Sequence, residues 1–243
     1  MTIPTIIIPI RVSEPAFEVY LGNLVLSAES VSKQNIHCKN VLVDYGSESA
    51  YVKSIKDVAQ NNGLTYLRGE GPIWSRSCAL NVGIKNAPGD VILFVDADCV
   101  IPPNYVQENI KFINSRAFTF NLVYDSLEGV RQTGNYNDVL ASINGQGIHD
   151  TRPDGFSHMG VMKQWFSAHG GYNEAYKGWG GEDNDLFVRL TRSGVGARNT
   201  NIHPIHIWHP PYSALMEKIG KKDVYERLLV ENRTRFFNFR DGK

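Results

Sequence analysis

The sequence predicts an α/β fold: a mostly parallel sheet flanked by helices, in a single domain. Three observations lead there. Strand-like and helix-like segments alternate through residues 1–100. The strand-like runs are apolar along their whole length, as in strands buried on both faces. Polar residues follow those runs directly, as they do at the carboxyl edge of an open α/β sheet, where ligands bind. A length of 243 residues suits one large α/β domain, or two halves sharing one core.

The elements follow in order. Residues 5–10 form an apolar run ending at Arg11, a buried parallel strand. A helix is predicted over 16–33 and a second strand over 40–43, closing on Asp44-Tyr45-Gly46-Ser47. A polar helix over 49–62 stops at Gly63, and 64–67 is a third strand. Residues 74–86 read as a helix closed by Pro88-Gly89, and 91–95 as a fourth strand running into Asp96-Ala97-Asp98. Arg11, Asp44, Arg68, Asp96 and Asp98 all stand at or near strand ends, which is the first sign of a site.

The second half is less regular. A helix is predicted over 102–116 and a strand over 117–124. Residues 126–154 are rich in Gly, Asn, Asp and Gln, and read as a mobile loop with a short helix near 138–143. A strand is expected over 156–162. A helix over 181–193 begins with acidic residues, carries Leu186, Phe187 and Leu190 on one face, and has Arg189 and Arg192 near its end. Residues 212–239 look helical and amphipathic. No repeat or linker separates 1–100 from 101–243.

Composition excludes several classes. Formal net charge is zero and no block of like charge occurs, so no nucleic-acid partner is indicated. Cys38, Cys78 and Cys99 are too scattered for a zinc or disulfide framework and suit a reducing compartment. The apolar run at 6–8 is too short for a signal peptide or a membrane span. The expectation is a cytoplasmic protein with no transmembrane segment, peripheral to a membrane if its product is membrane-linked.

Three groups of residues carry chemistry. With strand periodicity, Asp96 and Asp98 face one side while Ala97 turns inward. Paired carboxylates are hard oxygen ligands for Mg²⁺ or Mn²⁺, and such a metal neutralises a departing nucleotide diphosphate. The bland alternative is a solvated turn. Glu182 and Asp183 open a helix about 100° apart, so one can deprotonate an acceptor hydroxyl while the other binds a sugar hydroxyl. Here the alternative is simple complementation of the helix N-terminus, a task suited to Asp185 with Arg189. His203, His206 and His209 form the third group, with backbone-bonded structural histidines as the competing reading.

Two stretches resemble known families. Trp74-Ser75-Arg76-Ser77-Cys78-Ala79-Leu80-Asn81-Val82-Gly83-Ile84, followed by Gly89 through Asp98, resembles the family-2-like glycosyltransferases of the GT-A (Rossmann-like) fold. Ile8-Pro9-Ile10-Arg11 and Asp44-Tyr45-Gly46-Ser47 match that family's first two strand ends, with Tyr45 where a second Asp is common. Gly178-Trp179-Gly180-Gly181-Glu182-Asp183 is similar to the Trp-Gly-Gly-Glu-Asp signature of galactosyltransferases, N-acetylgalactosaminyltransferases and chondroitin-type polymerases. The resemblance spans roughly residues 3–100 and 156–211.

The resemblance implies a UDP-sugar donor, a carbohydrate or glycan acceptor and Mn²⁺ (or Mg²⁺) as cofactor. Pro9, Arg11, Asp44, Arg68, Arg76, Asn81, Asp96, Ala97 and Asp98 would bind the nucleotide-sugar. Asp96, Asp98 and His209 would hold the metal, with His206 in reserve. Trp179, Gly180 and Gly181 would meet the acceptor, and Asp183 and Glu182 would be catalytic. The reaction implied is an inverting transfer in glycan or polysaccharide synthesis. Retaining N-acetylgalactosaminyltransferases usually carry Asp-x-His and Glu-Asn, which this chain lacks. A nucleotidyltransferase would want a Gly-rich basic loop after the first strand, where Arg11-Val12-Ser13-Glu14-Pro15 stands. A non-catalytic sugar-binding module would need neither metal pair nor base.

Overall fold

The computed structural model describes residues 3–126, 128, 133–144 and 156–242. Its centre is a set of strands buried on both faces. In β1 (Thr5–Ile10), Ile6, Ile8 and Ile10 enter one apolar layer and Ile7 enters the other. β2 (Lys39–Tyr45) does the same, sending Leu42 one way and Val41 and Val43 the other. This two-sided burial explains the apolar runs in the sequence. β3 (Thr65–Gly69) and β4 (Val91–Phe94) complete a parallel block.

The intervening helices cover the two faces. α1 (Glu18–Ser32) and α2 (Ser49–Asn61) supply Leu24, Ala28, Val31 and Ile55 to one layer. α3 (Arg76–Asn86) packs on the other, and Gly83 makes this possible. A Cβ there would lie 2.5 Å from Ile7 Cγ2 and 3.2 Å from Val43 Cγ2. Ser75 caps α3, its hydroxyl accepting the Cys78 N–H at 3.3 Å.

The chain continues through β5 (Cys99–Val100), α4 (Tyr105–Ile110), β6 (Ala117–Phe120), β7 (Tyr124–Asp125) and α5 (Tyr136–Asn144). Then come β8 (Met159–Met162), α6 (Lys163–His169), α7 (Glu182–Arg192), β9 (Gly196–Asn199), β10 (Ile205–His206), α8 (Tyr212–Lys218) and α9 (Lys222–Asp241). The large sheet has seven strands in the order β3-β2-β1-β4-β8-β6-β9. β8 alone runs against its neighbours β4 and β6. A second sheet orders β5-β10-β7. The fold is α/β with a mostly parallel sheet, as the sequence predicts.

Several boundaries move. The helix expected over 102–116 contracts to α4, because Asn114 starts a turn in which its Oδ1 accepts the Arg116 N–H at 2.8 Å. The strand expected over 117–124 divides at Asn121. That buried amide donates to Tyr105 Oη, Asn109 Oδ1 and the His158 carbonyl instead of continuing an outward-facing pleat. The strand expected over 156–162 begins only at Met159, and the C-terminal helix breaks at Gly220. Residues 127, 129–132 and 145–155, and with them most of the expected mobile loop, lie outside the described residues, whereas the helix expected near 138–143 is α5. No described helix is long and apolar enough to cross a membrane.

The contact of α3 with β1 gives a direct test. Gly83→Val forces two methyl groups against fully buried Ile7, and should lower stability by about 2–3 kcal/mol. Urea denaturation should show the midpoint falling with an unchanged slope.

Candidate active site

The small sheet assembles a group of three side chains. β10 lies between β5 and β7, so His206 sits opposite Cys99 on one side and Asp125 on the other. The Ile207 N–H donates to the Asp98 carbonyl at 2.7 Å, which fixes the backbone beside Cys99. His209 Nδ1 lies 2.8 Å from the Pro210 carbonyl oxygen. A carbonyl only accepts, so Nδ1 carries a proton, and in the neutral ring Nε2 keeps its lone pair. Nε2 faces Asp98 Oδ2 at 3.2 Å and His206 Nε2 at 3.1 Å, while His206 Nε2 lies 3.6 Å from the same carboxylate oxygen.

Asp98, His206 and His209 thus turn one oxygen and two nitrogens toward a common point, all within 4.8 Å of one another. The Tyr20 ring closes one side, edge to face with His209, their ring centroids 4.8 Å apart. Burial favours the neutral Asp98 carboxyl, but His206 and His209 outweigh it and hold the group well below the usual carboxylate range. One carboxylate with two imidazoles is a donor set that fits a first-row divalent cation.

Asp96 belongs elsewhere. The strand stops at Phe94, so the periodicity that would align Asp96 with Asp98 does not apply. Asp96 Oδ1 instead accepts a hydrogen bond from Arg76 Nε at 2.9 Å and forms an ion pair with Nη2 at 2.8 Å. Arg76 Nη2 also donates to the Ser157 carbonyl at 3.0 Å. Its Nη1 lies 3.7 Å from Glu182 Oε1, and among the described residues this buried nitrogen makes no hydrogen bond. One cation therefore joins the end of β4 to the start of α7. His158 supports the arrangement from the antiparallel strand, its Nε2 accepting the Asp96 N–H at 3.3 Å. Burial, aided by Arg76, pushes the His158 imidazole down to about 4, which keeps it neutral and able to accept.

The family described as glycosyltransferase-like family 2 matches residues 5–126. The chain belongs to that family. A second family, described as the N-terminal domain of galactosyltransferase, matches residues 155–210. A probable N-acetylgalactosaminyltransferase 7 from Caenorhabditis elegans is 25% identical over 209 residues, covering 71% of this chain and 34% of the relative. Chondroitin synthase from Escherichia coli is 20% identical over 230 residues, covering 80% of this chain and 32% of the relative. The chain thus spans about a third of the length of these two curated relatives. The fold is shared with GalNAc-T7 solved with UDP, GalNAc and Mn²⁺ (TM-score 0.61, 15% identity, 99% of this chain and 51% of that one). It is also shared with a mannosyltransferase from Pyrobaculum calidifontis solved with GDP-Man and Mn²⁺ (TM-score 0.59, 15% identity, 88% and 59%). The chain therefore has the GT-A fold.

Other sequence-predicted site residues take varied positions. Asp44 is fully buried and already accepts from Ser47 N, Tyr66 Oη and Arg68 Nη1 at 3.0, 2.7 and 2.7 Å. Arg68 further bonds Glu70 and the Ser47 carbonyl. Arg11 donates to the carbonyls of Gly71 and Pro72. Pro9 is buried within β1, and Ala97 is buried in the core. Asn81 has a different task from the one expected. Its amide donates to the Tyr172 carbonyl and Glu174, while its Oδ1 accepts the Tyr172 N–H. It braces the turn before the Trp179 segment rather than presenting a free amide to a nucleotide.

Trp179 is 51% exposed, so it does not fill the core. Gly178, Gly180 and Gly181 around it have φ of 72°, 92° and 95°, values that side-chain-bearing residues rarely adopt. Asn232 of α9, nearly fully buried, donates to the carbonyls of Lys177 and Trp179 at 2.7 and 3.1 Å. Sequence reasoning missed Asn232, His158 and Asp125, since none lies in a local motif.

Glu182 and Asp183 open α7 as expected. Burial, then repulsion from Asp183, pushes the Glu182 carboxyl up to about 7, against a smaller opposing pull from Arg76. Burial raises Asp183 as well. A carboxyl raised on folding favours the native state while protonated, and that advantage disappears as pH climbs through its folded value. Glu182→Gln should therefore gain stability on the wild type between pH 4.5 and 7, with the difference levelling above that range. Thermal melts of both proteins across this range provide the check.

Proposed function

We propose that this glycosyltransferase moves a hexose or N-acetylhexosamine from a UDP-sugar to a hydroxyl of a glycan acceptor, with inversion at the anomeric carbon. One observation carries the reading: the Asp98, His206 and His209 group is linked through Asp96 and Arg76 to the Glu182–Asp183 pair. This chain of contacts would couple a site for a diphosphate-binding cation to a pair of carboxylates with raised affinity for protons. UDP is favoured because a structural neighbour was solved with it, and N-acetylgalactosaminyltransferase 7 is among the sequence relatives.

Residues 1–100 form the donor half of a single domain and residues 101–243 the acceptor half. Asp98, His206 and His209 would hold a divalent cation, with Mn²⁺ preferred over Mg²⁺ because two of the three donors are imidazole nitrogens. Such an ion offsets the charge of the departing diphosphate. The Arg76 Nη1 donors, buried and unmatched within the described residues, suit an oxygen of the donor. Arg11, Asp44 and Arg68 border the nucleotide end, and Asp44 would exchange one of its present partners for the base or ribose.

Asp183 accepts the proton of the acceptor hydroxyl. The acceptor oxygen then bonds to the anomeric carbon on the face opposite the breaking bond to the diphosphate, which leaves with the electron pair. Inversion follows from this single displacement. A base with a raised proton affinity takes the proton more readily at neutral pH. Glu182 binds a sugar hydroxyl, and Trp179 lays its exposed ring on the C–H-rich face of a pyranose. The likeness to the nematode enzyme supports a second reading, in which the donor site is the same and configuration is retained.

Two outcomes test the reading. EDTA should abolish transfer, and Mn²⁺ should restore it better than Ca²⁺. Asp98→Ala should be inactive yet melt normally, and full activity in EDTA would remove the metal from the reaction. Asp183→Asn should lower kcat by roughly 10²–10⁴-fold with little change in UDP affinity. NMR of the product from an α-linked donor should show a β linkage, and an α linkage would overturn inversion in favour of retention.

A further inference from the structure

The histidine that completes the three-membered group has a partner on its far side. His206 Nδ1 lies 3.0 Å from Asp125 Oδ1. The two residues are register partners in the parallel pairing of β7 and β10, so their side chains leave the same face of the sheet. Their backbones are tied on both sides of the pair. The Tyr124 N–H donates to the Pro204 carbonyl at 2.9 Å, and the Ser126 N–H to the His206 carbonyl at 2.9 Å. The next turn is held as well, because the Trp208 N–H donates to Ser126 Oγ at 2.8 Å.

We infer that Asp125 is a positioning residue for the cation site: it holds the His206 proton on Nδ1 and so presents the Nε2 lone pair to the ion. The inference rests on the proposed metal site. A neutral imidazole has one protonated and one bare nitrogen, and an acceptor at one nitrogen decides which. His209 is fixed the same way by the Pro210 carbonyl. The two rings therefore reach the common point in the same state by different means, one through a backbone carbonyl and the other through a carboxylate. The carboxylate also makes the ring it orients a stronger donor. Without Asp125, the ring can place its proton on Nε2, where it points at His209 Nε2 and Asp98 Oδ2 and blocks the site.

Free Mn²⁺ can be followed by electron paramagnetic resonance during titration of the metal-free protein, with no nucleotide present. Asp125→Ala should weaken Mn²⁺ binding by roughly 10–100-fold. Asp125→Asn should recover most of the loss, because an amide oxygen still accepts the Nδ1 proton. In the Asp125→Ala/His206→Ala double variant, affinity should be no lower than in His206→Ala alone, since Asp125 acts only through that ring. Folding should survive, because the sheet bonds around Asp125 are made by backbone atoms. Mn²⁺ binding by Asp125→Ala at wild-type strength, or a full further loss in the double variant, overturns the inference and leaves the metal site standing. A wild-type protein that binds no Mn²⁺ removes both.

Discussion

The architecture of the site depends on one buried cation. Arg76 stands at the first turn of α3, beneath a Ser75 cap, and reaches Asp96 beyond β4 and Glu182 at the head of α7. Three segments far apart in sequence meet on one guanidinium. The planar fork of arginine allows this, since Nε and Nη2 share one carboxylate oxygen while Nη1 points away from it. Losing one member of such a buried group leaves the others uncompensated, a penalty of about 3–5 kcal/mol. Arg76 is therefore as much a condition of the fold near the site as a participant in it. It also keeps Asp96 charged and away from the group formed by Asp98, so adjacent acidic positions take separate tasks.

The reversed strand β8 serves the same end. Because it runs against β4, its first residues lie at the edge where the parallel strands finish. His158 and Ser157 therefore reach Asp96 and Arg76 from a later part of the chain without a crossover. The small sheet does comparable work on the other side of Asp98. β5 continues from Asp98, β10 brings His206, and β7 brings Asp125. Two-residue strands have little stability of their own, and here the surrounding core imposes them.

Much of the first hundred residues was legible because β1, β2 and β4 are mostly apolar and buried, and α2 and α3 stop at Gly63 and Pro88. β1 to β4 and α1 to α3 needed no tertiary knowledge. Strand direction was not legible, since an apolar run such as Met159–Met162 reads the same either way. α6 was missed because Lys163–His169 is too short to show a helical period, and β5, β9 and β10 exist only through their partners. Within the candidate site, motif alone pointed to Asp98, His209, Glu182 and Asp183. His206 was ranked behind His209, yet β10 brings both to the same carboxylate oxygen. Asp96 was misplaced because strand periodicity was extended past Phe94, where the chain already bends. Asn81 looked like a ligand-binding amide because its neighbours in sequence gave no hint of Tyr172, which lies 91 positions away.

The Asn232 bond to the Trp179 carbonyl joins residues 53 positions apart and belongs to a helix that contributes no reacting group. The Trp179 backbone is thus held in part from outside the proposed chemistry, by an amide of α9. Drift in sequence along α9 can change how firmly that tryptophan is presented while every carboxylate and imidazole stays in place. With Trp179 at the acceptor, as proposed, the fold separates two things that selection can adjust independently: what reaction occurs, and how wide a range of acceptors is admitted to it.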